Sequence, residues 1–333
     1  MGDLKVPGAM LMRISHWFAA GLILASMPAA AQVQQVDAAL PATIDNTTIT
    51  DEVAIRTDNA DRMTVAVSVG GKGPYRFLVD TGSERTVISR ELANRLQLAS
   101  GRSAILHSVM GANDVNTVHI PHLRVSGNVI SVIDAPALGA ANIGADGMLG
   151  IDSLQSQRVL FDFKAKTMSI TPSAQPLERM DGDTIVVRAR SRNGRLIFTQ
   201  AKIDGKRVSV IIDTGSQVSI ANMAMQKLLA KQGQHLLPDA VTIESVTGEK
   251  MSAGIARVPE LELGGVQLKD LSVVFADAHI FRQLELEDRP ALLLGMNAMK
   301  AFDRISIDFA AKKVRFVLPG TSMRDGVRFA SAS

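Results

Sequence analysis

Most apolar residues of this chain fall in short runs, many of them β-branched, that turn-forming residues separate. The turn cluster Gly70–Pro74 divides the run 64–69 from the run 75–79, and the second run leads directly into an aspartate. The same order returns at 197–203 and 208–212, again ending at an aspartate. Short β-branched runs bounded by turn residues are typical of β-hairpins. The pattern therefore predicts a mainly β fold.

Four motifs of the chain occur twice and in the same order, which indicates two copies of one unit. The two aspartates, Asp80 and Asp213, are offset by 133 residues, and later motifs are offset slightly more, as loop insertions would cause. The repeated segments are 77–83 with 210–216, 108–111 with 245–248, 148–151 with 293–296, and 161–166 with 307–312. We predict this organisation: a signal peptide 1–31, an N-terminal linker 32–59, a first lobe 60–172, a linker 173–183, a second lobe 184–319 and a C-terminal tail 320–333.

Helical patterns follow each repeated Asp-Thr-Gly-Ser motif. Ser89 is placed to cap a helix over Glu91–Leu96, and Asn222 to cap one over Met223–Lys231, since both residue types accept hydrogen bonds from the first helical turn. Asp162 and Asp308 lie in alternating apolar–polar runs, which predicts that both side chains face solvent.

The N-terminal residues have the three parts of a secretory signal. Lys5 and Arg13 supply positive charge, the apolar run 17–25 follows, and small residues lead to a cleavage site near Ala31. The run is short for a membrane span of about 20 residues, so a membrane tether remains only if the signal is not cleaved. We expect an exported protein, in a periplasm rather than fully secreted.

Composition excludes several kinds of chemistry. The chain has no cysteine, which removes disulfides, thiolate catalysis and Cys-ligated metals. The formal net charge of +3 comes without a basic run, so we predict no nucleic-acid partner. His107, His119 and His122 match no zinc-ligand spacing, and we predict no metal and no cofactor.

The repeated Asp-Thr-Gly-Ser motif has a specific physical use. An apolar strand that ends at Asp-Thr-Gly delivers a carboxylate onto a sharp turn, and glycine lets backbone N–H groups approach that carboxylate. The threonine hydroxyl can tie its turn to a neighbouring copy, and the serine hydroxyl can donate to the carboxylate. One such motif is weak evidence, because similar turns are common, but two in matched contexts are not explained by chance.

These residues resemble the aspartic peptidases of the retropepsin and pepsin type. In that family each half has an apolar strand, Asp-Thr-Gly, a β-hairpin flap, and a later apolar-apolar-Gly followed by a short helix; Gly150 and Gly295 supply the last motif here. The resemblance covers both repeats. It implies a bilobal acid-protease fold of two tandem retropepsin-like β-barrel lobes, a pseudo-dimer in a single chain, with short helices after each catalytic loop.

The resemblance also implies the site. Asp80 and Asp213 would activate a water molecule in an aspartic endopeptidase, and the protein would be a monomer that binds a protein or peptide substrate, extended, in the cleft between the lobes. Which aspartate acts as base stays open. The predicted supports of the catalytic loops are Thr81, Gly82, Ser83, Thr214, Gly215 and Ser216; the predicted flap residues are Met110, Gly111, Ala112, Thr247, Gly248 and Glu249; and Gly150 and Gly295 are predicted structural residues near the site.

Two other functions remain open. A non-catalytic peptide-binding or scaffold protein could use the same fold, although both complete motifs are kept. A two-carboxylate glycosidase is disfavoured, because sugar sites need aromatic platforms and only 4% of the residues are aromatic.

Overall fold

The computed structural model describes residues 42–45 as a backbone strand, and residues 63–108, 111–125, 128–176, 183–237 and 240–320. The predicted signal peptide and nearly all of the C-terminal tail lie outside the described residues. In the described part of the chain, no helix has the length and apolar character needed to cross a membrane.

Strands account for most of the regular structure. They are β1 (Ala42–Asp45), β2 (Val65–Val69), β3 (Lys72–Val79), β4 (Val87–Ser89), β5 (Ala104–Ser108), β6 (Gly111–Val115), β7 (Thr117–Val125), β8 (Asn128–Leu138), β9 (Gly147–Leu149), β10 (Gln157–Asp162), β11 (Thr167–Pro172), β12 (Thr184–Arg188), β13 (Arg190–Arg192), β14 (Arg195–Ile203), β15 (Lys206–Ile212), β16 (Ser219–Ala221), β17 (Ala240–Glu244), β18 (Lys250–Leu263), β19 (Val266–Phe275), β20 (Ala291–Leu294), β21 (Arg304–Asp308) and β22 (Lys313–Val317). The helices are α1 (Arg90–Leu96), α2 (Ala140–Ile143), α3 (Ile151–Leu154), α4 (Met223–Lys231), α5 (His279–Gln283) and α6 (Met296–Met299). The fold is mainly β, as predicted.

Two lobes repeat one pattern of strand pairing. Lobe 1 comprises β2–β9 with α1–α3, and lobe 2 comprises β13–β20 with α4–α6. In lobe 1 β3 runs parallel to β9 and β4 parallel to β8; in lobe 2 β15 runs parallel to β20 and β16 parallel to β19. Lobe 1 closes as a six-stranded barrel, whereas lobe 2 forms a nine-stranded sheet in which β1 adds an edge strand beside β19.

Both predicted helix caps are confirmed. The Ser89 side chain accepts a hydrogen bond from the Leu92 amide at the start of α1. The Asn222 side chain accepts one from the Met225 amide at the start of α4. Ser89 is the last residue of the short buried strand β4, and Asn222 directly follows the short buried strand β16. Each cap therefore fixes the residue at which the chain passes from strand to helix.

A third, antiparallel sheet joins the lobes, in the strand order β11-β10-β21-β22-β12. Strand β10 follows lobe 1 and β21 follows lobe 2, and they pair directly. Arg158 Nε lies 3.1 Å from Asp308 Oδ2, and Arg304 Nε lies 2.7 Å from Asp162 Oδ2. The two ion pairs occupy equivalent positions in the repeat, and each one joins the strand that follows lobe 1 to the strand that follows lobe 2.

The prediction that Asp162 and Asp308 face solvent is therefore wrong. Asp308 is 2% exposed, and its carboxylate also accepts hydrogen bonds from Ser173 and from the Ala311 amide. Burial alone would raise the pKa of Asp308, but these hydrogen bonds and the Arg158 guanidinium hold it below its ordinary value. A buried carboxylate with this many partners stays ionised.

One hydrophobic core runs through both lobes. It includes Phe77 and Leu92 from lobe 1, Phe198 from lobe 2 and Phe316 from the joining sheet. The Phe316 ring lies 4.7 Å from that of Phe302 and 6.3 Å from that of Phe198, measured between centroids. The lobes thus share buried surface, which fixes their relative position at the loops that carry the two aspartates.

Candidate active site

Asp80 and Asp213 occupy the same place in the two lobes. Asp80 directly follows β3, and its amide donates to the Leu149 carbonyl at 2.9 Å; Asp213 directly follows β15, and its amide donates to the Leu294 carbonyl at 3.1 Å. Each aspartate is 8% exposed. Strand β3 of the lobe 1 barrel and strand β15 of the lobe 2 sheet bring both carboxyl groups to the junction of the lobes, where each group changes the pKa of the other.

Backbone amides of each loop hold its own carboxylate. Gly82 and Ser83 donate to Asp80 Oδ1 at 2.7 and 3.1 Å, and Gly215 donates to Asp213 Oδ1 at 3.0 Å. Hydrogen bonds of this kind fix the rotamer of the carboxyl group and favour its ionised form. The turn predicted for Asp-Thr-Gly is thus the turn that the structure contains.

The two glycines also face the opposite aspartate. A Cβ placed on Gly82 would lie 2.6 Å from Asp213 Oδ1, and one on Gly215 would lie 2.4 Å from Asp80 Cγ. No side chain fits at that distance, so glycine is required for the two loops to approach each other. This close approach brings the two carboxyl groups together.

Thr81 and Thr214 join the two loops by four hydrogen bonds. Thr81 Oγ1 donates to the Ile212 carbonyl at 2.7 Å and accepts from the Thr214 amide at 3.1 Å. Thr214 Oγ1 donates to the Val79 carbonyl at 2.7 Å and accepts from the Thr81 amide at 3.1 Å. The bonds match in length across the pair, and all of them are buried, so each loop holds the other in place.

The serines act differently from the expectation. Ser83 Oγ donates to the Arg85 carbonyl at 2.9 Å, and Ser216 Oγ donates to the Val218 carbonyl at 2.6 Å. The prediction that these hydroxyls donate to the carboxylates is wrong, because a closer carbonyl two residues further on closes a local turn. The serines shape the loops, and the backbone amides serve the carboxylates.

Gly150 and Gly295 lie against the ends of the same loops. A Cβ on Gly150 would lie 2.4 Å from the Arg85 oxygen, and one on Gly295 would lie 2.4 Å from the Val218 oxygen. Their amides donate to Thr86 Oγ1 and Ser219 Oγ, each at 3.1 Å. The structure thus packs the second glycine motif of each lobe directly behind its Asp-Thr-Gly loop.

The predicted flap residues that the structure describes lie on two hairpins. Gly111 and Ala112 begin β6, which pairs with β5; Met110 lies outside the described residues. Thr247, Gly248 and Glu249 form the turn between β17 and β18, where Gly248 has a φ of 89°. That they contact substrate stays a prediction.

Each hairpin approaches the opposite lobe. Val246, beside the turn of the lobe 2 hairpin, packs against a lobe 1 cluster that includes Leu138 and Ile143. A Cβ on Gly248 would lie 3.0 Å from the Asn142 side chain of α2. In the other direction, α5 of lobe 2 lies beside β5 of the lobe 1 hairpin. The hairpins therefore bound the space between the lobes from both sides.

Arg195 belongs to the site although no sequence motif indicated it. It begins β14 in lobe 2, is 4% exposed, and reaches the aspartate loop of lobe 1. Its Nε donates to the Gly82 carbonyl at 2.9 Å, and one terminal nitrogen lies 2.7 Å from Glu84 Oε1. The sequence offered one sign of its importance: the offset of 133 residues matches Arg195 with Arg62, so both copies have an arginine at this position. That match does not indicate which residues the arginine contacts.

The environment raises the pKa of both aspartates. Burial raises the pKa of Asp80, against hydrogen bonds from Gly82, Asp213 and Ser83 and the nearby charge of Arg195, all of which lower it. Burial, followed by the negative charge of Asp80, raises the pKa of Asp213 to about 8. Adjacent carboxyl groups cannot both ionise at neutral pH, so the pair holds one proton.

No metal-binding cluster accompanies the pair in the part of the chain that the structure describes. Within the described ranges, no three histidine, aspartate or glutamate side chains are grouped so that they could hold a metal ion. What the site offers is a carboxyl group, a carboxylate and the two loops that hold them.

Two lobes of matched topology with a buried aspartate pair at their junction define the acid-protease class of fold. The chain belongs to the aspartyl protease family: a family model described as aspartyl protease matches residues 65–153 and 199–298, more than half of its length. The resemblance found in the sequence is thereby confirmed. A search of curated proteins gave no match to the chain.

Proposed function

We propose that the protein is an endopeptidase that hydrolyses peptide bonds with a water molecule activated between Asp80 and Asp213. The observation that carries this proposal is the reciprocal holding of the two carboxyl groups. Thr81 and Thr214 join the loops, and each glycine admits the aspartate of the other lobe. A binding protein would have no need for two carboxyl groups placed so that they share one proton.

The reaction follows from that protonation state. The ionised aspartate accepts a proton from water while the oxygen of the water attacks the carbonyl carbon, and the protonated aspartate donates to the carbonyl oxygen. A gem-diol forms. A proton then moves to the amide nitrogen, the C–N bond breaks, and a carboxyl group and an amine leave. Every proton that the pair donates is returned, so one proton remains on it for the next cycle.

The two hairpins bound the space above the pair and suit an extended substrate. Backbone groups of a hairpin edge can pair with the main chain of a peptide, as in β-augmentation. The predicted flap residues differ in sequence between the lobes: they are Met110, Gly111 and Ala112 in lobe 1, and Thr247, Gly248 and Glu249 in lobe 2. We expect unequal preferences on the two sides of the scissile bond.

The expected substrate is a protein in an exported compartment. This rests on the charged, apolar and small-residue pattern of residues 1–31, which is typical of a secretory signal; of the exported compartments we propose the periplasm. The two lobes share one core and one compact unit, Leu40–Ser333, which supports action as a monomer.

A digestion experiment tests the proposal. Purified protein is incubated with an unfolded protein substrate across pH 3–8, beside the variants Asp80→Ala and Asp213→Ala. New internal N-termini should appear with the wild type and be absent with both variants. Equal digestion by all three would refute the mechanism, and no digestion by any of them would favour the binding function.

A further inference from the structure

Besides its ion pair with Glu84, the buried Arg195 side chain donates to a peptide unit of the active-site loop. The carbonyl of the Gly82–Ser83 peptide accepts from Arg195 Nε at 2.9 Å. The N–H of that same peptide, on Ser83, donates to Asp80 Oδ1 at 3.1 Å. One peptide unit therefore connects the guanidinium to the Asp80 carboxylate.

A charge at one end of a peptide unit acts on the other end. The guanidinium draws electron density to the carbonyl oxygen and leaves the N–H more positive, which strengthens the hydrogen bond to Asp80. Because Arg195 is 4% exposed, little water screens this effect. Glu84, its ion-pair partner, has a side chain that is 47% exposed, so solvent screens the opposing negative charge more.

Both copies of the repeated unit have an arginine at the position of Arg195, but only the first copy has an acidic residue at the position of Glu84. The offset of 133 residues that relates the two motifs pairs Arg195 with Arg62 and Glu84 with Gln217; Arg62 lies outside the described residues. An arginine at both positions does not by itself distinguish the two aspartates. The contacts that each loop makes with its own carboxyl group therefore have to be considered together with the described contact of Arg195.

The backbone amides hold the two carboxyl groups unequally. The Gly82 amide lies 2.7 Å from Asp80 Oδ1, whereas the equivalent amide, of Gly215, lies 3.0 Å from Asp213 Oδ1. A shorter hydrogen bond from an amide favours the charged form of its acceptor more. Together with the peptide unit that Arg195 polarises, this contact favours the negative charge on Asp80.

We propose that Arg195 is a positioning residue that makes Asp80 the ionised member of the pair, so that Asp80 is the base and Asp213 keeps the proton. The inference rests on the proposed function and answers what the near-identical loops leave open. Asp80 accepts the proton of the attacking water, and Asp213 donates to the carbonyl oxygen of the substrate. The peptide bond would then be polarised from lobe 2.

The other charged groups that the structure describes near the pair do not reverse this choice. Asp152 of α3 is held by the amide and hydroxyl of Thr86, and Arg85 directs its guanidinium towards the Asp134 carbonyl. Lys300 lines a small pocket with Thr214 and Gly215, but it is exposed and water screens it. Strand β9, which pairs with β3 beside Asp80, contributes no titratable side chain.

The test is the pH profile of kcat/KM for a peptide substrate, whose two limbs report the two ionisations of the pair. Arg195→Gln removes the cation, and Glu84→Gln removes the opposing charge while it keeps a hydrogen-bond acceptor. Arg62→Gln makes the same change at the matched position of the repeat. Arg192→Gln is the remote control, since Arg192 also bonds a carbonyl (Leu284) and a glutamate (Glu285) at the edge of lobe 2.

The variants should act in different directions. Arg195→Gln should move the acid limb up by about one pH unit and the alkaline limb by less. Glu84→Gln should move the acid limb down, Arg62→Gln should move the acid limb less than Arg195→Gln does, and Arg192→Gln should leave both limbs in place. If the Arg195–Glu84 pair were only structural, breaking it from either side would affect the enzyme in the same direction.

Each result has one meaning. Three results would overturn the inference and leave cleavage by both aspartates standing. They are an acid limb that does not move in Arg195→Gln, acid and alkaline limbs that move equally in that variant, and an acid limb that moves further in Arg62→Gln than in Arg195→Gln. If Arg195→Gln does not fold, the exposed Glu84→Gln variant decides, and a limb that is unmoved or moves up overturns it. No cleavage by the wild type would overturn the proposed function and this inference together.

Discussion

Replacing Thr81 by valine removes half of the connection between the two loops. Valine has nearly the shape of threonine, so packing changes little. The substitution leaves the Ile212 carbonyl and the Thr214 amide without their partner, and both groups are buried. Each unsatisfied buried group costs about 1–3 kcal/mol. We therefore expect the free energy of unfolding to fall by about 2–6 kcal/mol, a large share of the roughly 5–15 kcal/mol typical of a folded protein.

Urea unfolding, followed by circular dichroism, measures this loss. Thr214→Val should cost the same as Thr81→Val, because its two bonds have the same lengths, 2.7 and 3.1 Å. The control is Ser216→Ala, which removes one half-buried hydroxyl and should cost about 1 kcal/mol. If the loops also position the carboxyl groups, kcat/KM falls at least about 100-fold in both threonine variants. A change below about 0.5 kcal/mol in Thr81→Val would refute the reasoning.

Three further predictions follow from the same geometry. Gly215→Ala would place a Cβ 2.4 Å from Asp80 Cγ and should reduce kcat/KM at least about 1,000-fold. In the control Gly205→Ala the new Cβ meets no atom within 4 Å, so activity should be kept and the positive φ should cost about 1 kcal/mol of stability. Peptide-cleavage assays and melting curves distinguish the two variants. Asp308→Asn leaves Arg158 buried without its counter-charge and should lower the free energy of unfolding by about 3–5 kcal/mol. Asp162→Asn should lower it by about 1 kcal/mol or less, because the side chain of its partner Arg304 is 34% exposed. Equal losses in urea unfolding would contradict the burial argument. The folded-state pKa of Asp213, about 8, lies above its ordinary value of 3.8, so between these pH values the folded protein binds more protons than the unfolded chain. The free energy of unfolding therefore falls as pH rises through that window, by at most about 1.4 kcal/mol per pH unit. Asp213→Asn should flatten this fall, and an unchanged slope of unfolding free energy against pH would contradict the prediction.

Much of the fold and the central pair could be predicted because their causes are local. An apolar strand that ends at Asp-Thr-Gly is a short-range pattern, and its second occurrence at Asp213 placed the two halves of the site. Ser89 and Asn222 were predicted as caps for the same reason, since a cap acts within one helical turn.

What could not be predicted depends on strands that are distant in sequence. Asp308 sits in an alternating run, and alternation predicts a solvent-facing side chain only where one face of a sheet is open. Strand β21 instead lies in the middle of the joining sheet, where β10 brings Arg158 to it. Arg195 likewise finds Gly82 only because the lobes pack together, so no local pattern could name that contact.

The central claim is that Asp80 and Asp213 act as one unit on a single water molecule, and kinetics of single and double variants test it most directly. We predict that Asp80→Asn and Asp213→Asn each lower kcat/KM for a peptide substrate at least about 1,000-fold, and that the double variant is no slower than either single variant, because groups that act together are strongly non-additive. Losses that multiply in the double variant, or either single variant retaining activity near that of the wild type, would contradict the account.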